Sequence, residues 1–232
     1  MFKKGGNNML MIEARKEIID YGKMLFESGL TSGTAGNLSV YDPETGYMAI
    51  SPSGVPYEET KPEDIVITDL EGKIIEGTCK PSSECGLHAA IYKVKPEARA
   101  VVHTHSMACT TLSCLGEPLK GVHYALASAQ VPEVPVAPYA TYGTPELAAN
   151  VQKTIGESDA CLMANHGIVC CGASMKGAYG LMVSCEWCAE LQWRCMCAGT
   201  PKILSDDEMM KVVEKFKTYG QSGPGEGHGY AG

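Results

Sequence analysis

The chain is short of positive charge. Nineteen lysines and arginines stand against 27 aspartates and glutamates, a formal net charge of -8. A polyanion is repelled on average, so nonspecific nucleic-acid binding has no support, although a local anion site built from backbone amides does not conflict with that charge. The chain also lacks the roughly 18 to 20 consecutive apolar residues of a membrane helix. The segment Met1–Asn8 is polar and glycine-rich, without the apolar stretch of a signal peptide, and is expected to fray. No glycine-rich loop ends in the lysine–serine pair of a P-loop, which leaves a nucleoside triphosphate unindicated. There is no internal repeat. The C-x-x-C of Cys185 and Cys188 has no second copy to complete a zinc site.

What is present suits one domain with a substantial core: 232 residues, of which 44% are hydrophobic. The expected bounds are a domain over residues 1–220 and a flexible glycine-rich tail over 221–232. Such a chain needs no disulfide staples, so its 11 cysteines are read as free thiols in a reducing cytoplasm. Cys185, Cys188, Cys195 and Cys197 lie in one long apolar helical pattern and are assigned to core packing, as are Cys170 and Cys171 in a strand. Cys109 follows the histidines closely but has no activating pattern around it.

Apolar residues at helical spacing predict a first helix over about Leu10–Ser28, stopped by Gly29. Strands follow at about 38–41 and 47–50 around the turn Asp42-Pro43-Glu44-Thr45-Gly46, then at 65–68 and 73–75. A short helix over 84–93 has Ser82 or Ser83 as its candidate cap. Strands are expected at 100–104, 134–137, 160–164 and 168–171. Further helices run through about Leu115, from Thr144 to near Gly156, over 175–197, and from a Ser205 cap over 206–216. Early hairpins with helices before and after predict a three-layer αβα sandwich around a mainly antiparallel sheet. The early strands are too closely spaced for regular βαβ units.

The most informative run is Ala100-Val101-Val102-His103-Thr104-His105. Residues two apart in a strand point to one face, so the two imidazoles converge. Imidazoles suit zinc and other first-row divalent ions, and three protein ligands with an open position is the catalytic pattern. His166 in Asn165-His166-Gly167 is a candidate third ligand; His88 and His123 are its rivals, and His228 in the tail is read as solvated. Any one histidine alone is more often a hydrogen-bonded core or surface residue. Glu84 lies upstream in Pro81-Ser82-Ser83-Glu84, where a helix N-terminus alone explains an acid. Three loops of small residues, 33–37, 51–54 and 82–83, offer amides and hydroxyls to an anion. Singly each is an ordinary turn or cap; together they hint at a phosphate monoester.

Taken with 137–144 (Ala-Pro-Tyr-Ala-Thr-Tyr-Gly-Thr) and 215–220 (Lys-Phe-Lys-Thr-Tyr-Gly), these motifs closely resemble the class II L-fuculose-phosphate aldolases. That group lies within the wider aldolase/epimerase family, which also holds L-ribulose-5-phosphate 4-epimerase. The resemblance implies an αβα subunit in a cyclic homotetramer with sites at subunit boundaries. It implies Zn2+, or another divalent ion such as Mn2+ or Co2+, on His103, His105 and His166. Glu84 falls on the catalytic acid/base, which can occupy the open metal position until substrate displaces it. Gly36, Asn37, Ser53, Gly54, Ser82 and Ser83 fall on the phosphate-binding positions. Tyr124 matches a tyrosine supplied by a neighbouring subunit, and Tyr219 one near the aldehyde; without the resemblance both read as interface packing. Tyr142 stands where the fuculose enzymes often carry phenylalanine.

The implied reaction is reversible cleavage of L-fuculose 1-phosphate to dihydroxyacetone phosphate and L-lactaldehyde, through an enediolate stabilised by the metal. His123-Tyr124-Ala125-Leu126 lacks the aspartate of the epimerase pattern, which favours the aldolase. Other relatives act on ribulose or deoxypentulose phosphates or dehydrate methylthioribulose phosphate. A zinc-binding structural protein would need neither Glu84 nor Tyr124.

Overall fold

The computed structural model describes residues 9–217; Tyr219, His228 and the ends expected to fray or form a tail lie outside the described residues. The elements run α1 (Ile12–Glu27), β1 (Asn37–Asp42), β2 (Tyr47–Ile50), β3 (Val66–Asp69), β4 (Ile74–Glu76), α2 (Cys85–Val94), β5 (Ala100–Thr104) and α3 (Met107–Leu115). They continue with β6 (Leu119–Lys120), β7 (Glu133–Val134), β8 (Val136–Ala137), α4 (Pro145–Thr154), β9 (Ala160–Met163), β10 (Gly167–Gly172), α5 (Met175–Ala198) and α6 (Asp206–Phe216). Eight strands form a sheet in the order β4-β3-β2-β1-β5-β10-β9-β8, antiparallel except for the β8–β9 pair.

Local chemistry sets the boundaries. Gly29 takes the left-handed conformation after α1. Asp42 accepts from the Glu44 amide at 2.9 Å and Asp69 from those of Glu71 and Lys73, each at 2.9 Å, closing the two early hairpins. Thr144, Ser174 and Ser205 each accept an amide hydrogen as caps of α4, α5 and α6. Helix α2 differs from expectation: Glu84 occupies the cap position, and Ser82 Oγ instead accepts from the Glu84 amide at 3.2 Å. The expected single strand over 134–137 is also divided. Pro135 has no amide hydrogen to continue a ladder. Val134 therefore pairs with Leu119 in a two-stranded ribbon, while Val136 and Ala137 run parallel to β9.

The sheet is covered on both faces, as the αβα reading requires. Ala100 and Val102 point into a core built with α1, α3, α5 and α6. Val101 points the other way, among Leu87 and Ile91 of α2 and Leu147 and Val151 of α4. Every residue of β5 is buried, which places His103 in the middle of the molecule. Cys170, Cys171, Cys185 and Cys188 pack in the interior as expected, but Cys195 and Cys197 are exposed at the end of α5, beyond the part that meets the sheet. Among the described residues no helix is long and apolar enough to cross a membrane.

Tyr57 links α1 to the site. Its hydroxyl lies 3.5 Å from both the Gly36 carbonyl and Ser51 Oγ. Its ring fills the space beside Gly22, where a Cβ would come within 2.0 Å of it. Alanine is a better helix former than glycine by about 1 kcal/mol, but overpacking costs about 1–3 kcal/mol and the ring is buried. Gly22→Ala is therefore expected to lower Tm by several degrees in a thermal melt; an unchanged or higher Tm would show that the ring shifts freely.

Candidate active site

Three adjacent strands assemble the site. His103 sits near the end of β5, facing Asn37 of β1 and Val169 of β10 across the ladders. His105 lies one residue beyond β5, yet keeps the alternation and turns its ring to His103, with centroids 4.9 Å apart. His166 stands in the tight turn between β9 and β10, after Asn165 in the left-handed conformation. Its ring is 4.9 Å from His103 and 5.0 Å from His105. Glycine permits both close approaches. A Cβ on Gly167 would lie 2.4 Å from the Thr104 carbonyl oxygen and 3.1 Å from the His105 ring. A Cβ on Gly36, already at φ +77°, would lie 2.7 Å from the His103 carbonyl oxygen.

The ligating atoms of the three histidines lie within 4.8 Å of one another. His103 Nδ1 lies 2.8 Å from the Ile168 carbonyl, which can only accept, so Nδ1 carries a proton and Nε2 is left to face the cluster. The Nε2 atoms of His103 and His105 are 3.1 Å apart, close to the spacing of about 3.4 Å that two nitrogens adopt around tetrahedral zinc. Glu84 completes the group, with Oε2 3.1 Å from His103 Nε2 and Oε1 3.4 Å from His166 Nε2. Oε1 is buried and has no hydrogen-bond partner. Imidazole lone pairs packed against a buried carboxylate, with one oxygen unsatisfied, fit a divalent cation in both charge and donor type.

The electrostatics agree. Burial disfavours the Glu84 carboxylate, but the charge of His103 and hydrogen bonds from His103 and Asn37 hold it well below the usual carboxylate range. Burial opposes charge on His103 as well, and its pairing with Glu84 nonetheless raises it. Burial and the neighbouring His103 lower His105 and bring His166 to about 4. Two of the three imidazoles are thus neutral at pH 7 and ready to ligate.

Beside the histidines opens a cleft of about 150 Å³. All three small-residue loops line it: Thr34–Asn37, Pro52–Gly54 and Ser82–Glu84, joined by His105, His166 and Tyr142. Two loops are stitched together, the Ser53 amide donating to the Lys80 carbonyl at 2.9 Å and the Ser82 amide to the Ser51 carbonyl at 3.0 Å. Among the described residues no lysine or arginine lines the cleft, so an anion there meets amides, hydroxyls and the metal centre.

The other candidates fall elsewhere. Tyr124 opens a 3-10 turn, half exposed and stacked on His123, and does not line this cleft. His123 accepts from the Ala125 amide and packs on Trp187. His88 is fully buried and bonded to Asn37 and Ser39, so it is not a metal ligand. Burial pushes the Cys109 thiol well above its ordinary value, which leaves it inert as a nucleophile. The sequence reading missed the bond from Asn37 Nδ2 to Glu84 Oε2, at 3.0 Å. The signal was present as polar residues at four-residue spacing, Glu84, His88 and Tyr92, in an otherwise apolar helix.

A sequence profile for the class II aldolase and adducin N-terminal domain matches residues 16–193. A 5-deoxy-D-ribulose 1-phosphate aldolase of Bacillus thuringiensis serovar kurstaki is 44% identical over 92% of this chain and 100% of its own. An L-fuculose phosphate aldolase of Escherichia coli O6:H1 is 41% identical over 88% of this chain and 94% of its own. A solved structure of an L-fuculose 1-phosphate aldolase superposes with a TM-score of 0.86 at 43% identity, covering 88% of this chain and 96% of that one.

Zn2+ added to the chelated protein at 100 times its Kd is expected to stabilise it by about 2.7 kcal/mol, a Tm rise of about 5–10 °C. His103→Ala is expected to abolish the rise. An equal rise in the variant would place the ion elsewhere.

Proposed function

The chain belongs to the class II aldolase family and is a metal-dependent aldolase of ketose phosphates; we propose that its substrate is L-fuculose 1-phosphate, cleaved to dihydroxyacetone phosphate and L-lactaldehyde. The observation that carries this reading is the buried Glu84 carboxylate, held against the histidine triad at the wall of a cleft lined by three loops of small residues.

His103, His105 and His166 would hold the divalent ion, with the Glu84 carboxylate beside them as a further donor. The ion supplies a Lewis acid for the carbonyl and neighbouring hydroxyl oxygens of the substrate. Gly36, Asn37, Ser53, Gly54, Ser82 and Ser83 bind the phosphate and hold the reacting carbons in line. Cleavage breaks the C3–C4 bond, releases the proton of the C4 hydroxyl and adds a proton at C3. Glu84 Oε1, free of hydrogen bonds, delivers that C3 proton and removes it in the reverse direction. Tyr124 of a neighbouring subunit handles the hydroxyl proton at C4.

That assignment requires a homotetramer with shared sites. The exposure of Tyr124 beside Trp187, and of Met107 and Leu115, supports a subunit contact on this side. Eleven free thiols suit a reducing cytoplasm.

A second substrate, 5-deoxy-D-ribulose 1-phosphate, is favoured by the 44% identical relative of that name. The two substrates share the dihydroxyacetone phosphate half and differ in the aldehyde, where Tyr142 forms the cleft wall.

The test is a metal-replete assay over ketose 1- and 5-phosphates. Triose phosphate is expected from L-fuculose 1-phosphate. Glu84→Gln is expected to keep its metal and lose about 100-fold or more in kcat. Undiminished turnover in that variant would remove Glu84 from the mechanism. Ribulose 5-phosphate consumed without triose phosphate would identify an epimerase.

A further inference from the structure

Behind Glu84 a buried chain of hydrogen bonds runs from Asn37 beyond the metal and phosphate sites. Glu84, His88 and Tyr92 are spaced at four residues and form one stripe of α2 and its cap. Asn37 and Ser39 are spaced at two and share one face of β1. The two rows interdigitate. Asn37 Nδ2 lies 3.0 Å from Glu84 Oε2 and Asn37 Oδ1 lies 2.6 Å from His88 Nε2. His88 Nδ1 lies 2.6 Å from Ser39 Oγ, and Ser39 Oγ lies 2.8 Å from the Tyr92 hydroxyl, which also reaches the Ser39 carbonyl at 3.0 Å. All five residues are buried.

The chemistry of the groups fixes the direction of every bond. The carboxylate oxygen accepts, so the Asn37 amide presents its nitrogen to Glu84 and its oxygen to His88. An amide oxygen accepts only, so His88 Nε2 carries the proton. Full burial keeps this imidazole neutral, its pKa lowered to about 3, so Nδ1 must accept from the Ser39 hydroxyl. Ser39 Oγ, its own hydrogen given to His88, then accepts from Tyr92, whose single hydrogen is shared with the Ser39 carbonyl. Each donor points toward Glu84. The amide in the middle does not pass protons, so the chain orients the carboxylate and does not titrate it. An amide's two ends are nearly the same shape, and only its partners decide which one faces Glu84.

We propose that His88 is a positioning residue for the proton-transfer step: it locks the Asn37 amide so that Asn37 Nδ2 holds Glu84 Oε2 beside His103 and leaves Oε1 for the reacting carbon. This rests on the assignment of Glu84 as the acid/base.

His88→Leu removes both ring nitrogens at similar volume. Its kcat is expected to fall about 10- to 100-fold, with metal content little changed. His88→Gln, whose amide nitrogen lies as far from Cβ as Nε2 does, is expected to recover most of kcat. In a crystal structure of His88→Leu, Asn37 is expected to have left Glu84. Wild-type kcat in His88→Leu, or loss of metal in step with loss of rate, would overturn the proposal, as would Asn37 and Glu84 remaining in place. Should His88→Leu not fold, Ser39→Ala removes the partner of Nδ1 and carries the same test. A kcat drop of about threefold or more at unchanged metal content supports the proposal, and an unchanged kcat overturns it. Wild-type protein inactive on every ketose phosphate would defeat the functional reading alone, because the crystallographic arm still decides whether His88 holds Asn37 and Glu84.

Discussion

Glu84 is 5% exposed, with its two carboxylate oxygens set against two different imidazoles. A charged carboxylate taken out of water is strongly unfavourable unless it is paired and hydrogen-bonded. Here the Asn37 amide and the His103 ring supply that compensation, and one oxygen is still left without a hydrogen bond. The rest of the site follows from keeping this group ionised, oriented and dry. A cation held by the three histidines would complete the charge balance.

The sheet order makes that arrangement possible. β1, β5 and β10 are adjacent at the centre, so Asn37, His103 and the turn carrying His166 come within reach without long loops. α2 begins where the Ser82–Ser83 loop meets the 51–54 loop, which sets Glu84 between the small-residue loops of the cleft and the histidines. Gly36 and Gly167 are required because the backbone of β5 passes where their side chains would stand. The central strands position the three histidines, and Tyr142 forms another part of the cleft wall.

Much of this is legible in the sequence because the relevant signals are local. The alternation of Ala100 to His105 announces both a buried strand and converging imidazoles, although the strand itself stops at Thr104. Turn chemistry at Asp42, Gly46 and Asp69 and the caps at Thr144 and Ser205 appear where side-chain type demands them. The misses are tertiary. Pro135 splits a strand because the two halves join different sheets. Glu84, not a serine, takes the cap position because the histidines draw its carboxylate away from the helix amides. His88 looked like a spare ligand, since no single-residue rule reveals that Asn37 would meet it across a helix–strand interface.

The central claim is that Glu84 moves a proton at carbon beside the metal centre. The most direct measurement uses no aldehyde: dihydroxyacetone phosphate is incubated with the metal-loaded protein in deuterium oxide, and exchange at its hydroxymethyl carbon is followed by NMR. The account predicts stereospecific replacement of one of the two hydrogens, lost on chelation and lost in Glu84→Gln. Absence of exchange in the wild-type protein, or exchange that persists without the Glu84 carboxylate, would contradict it.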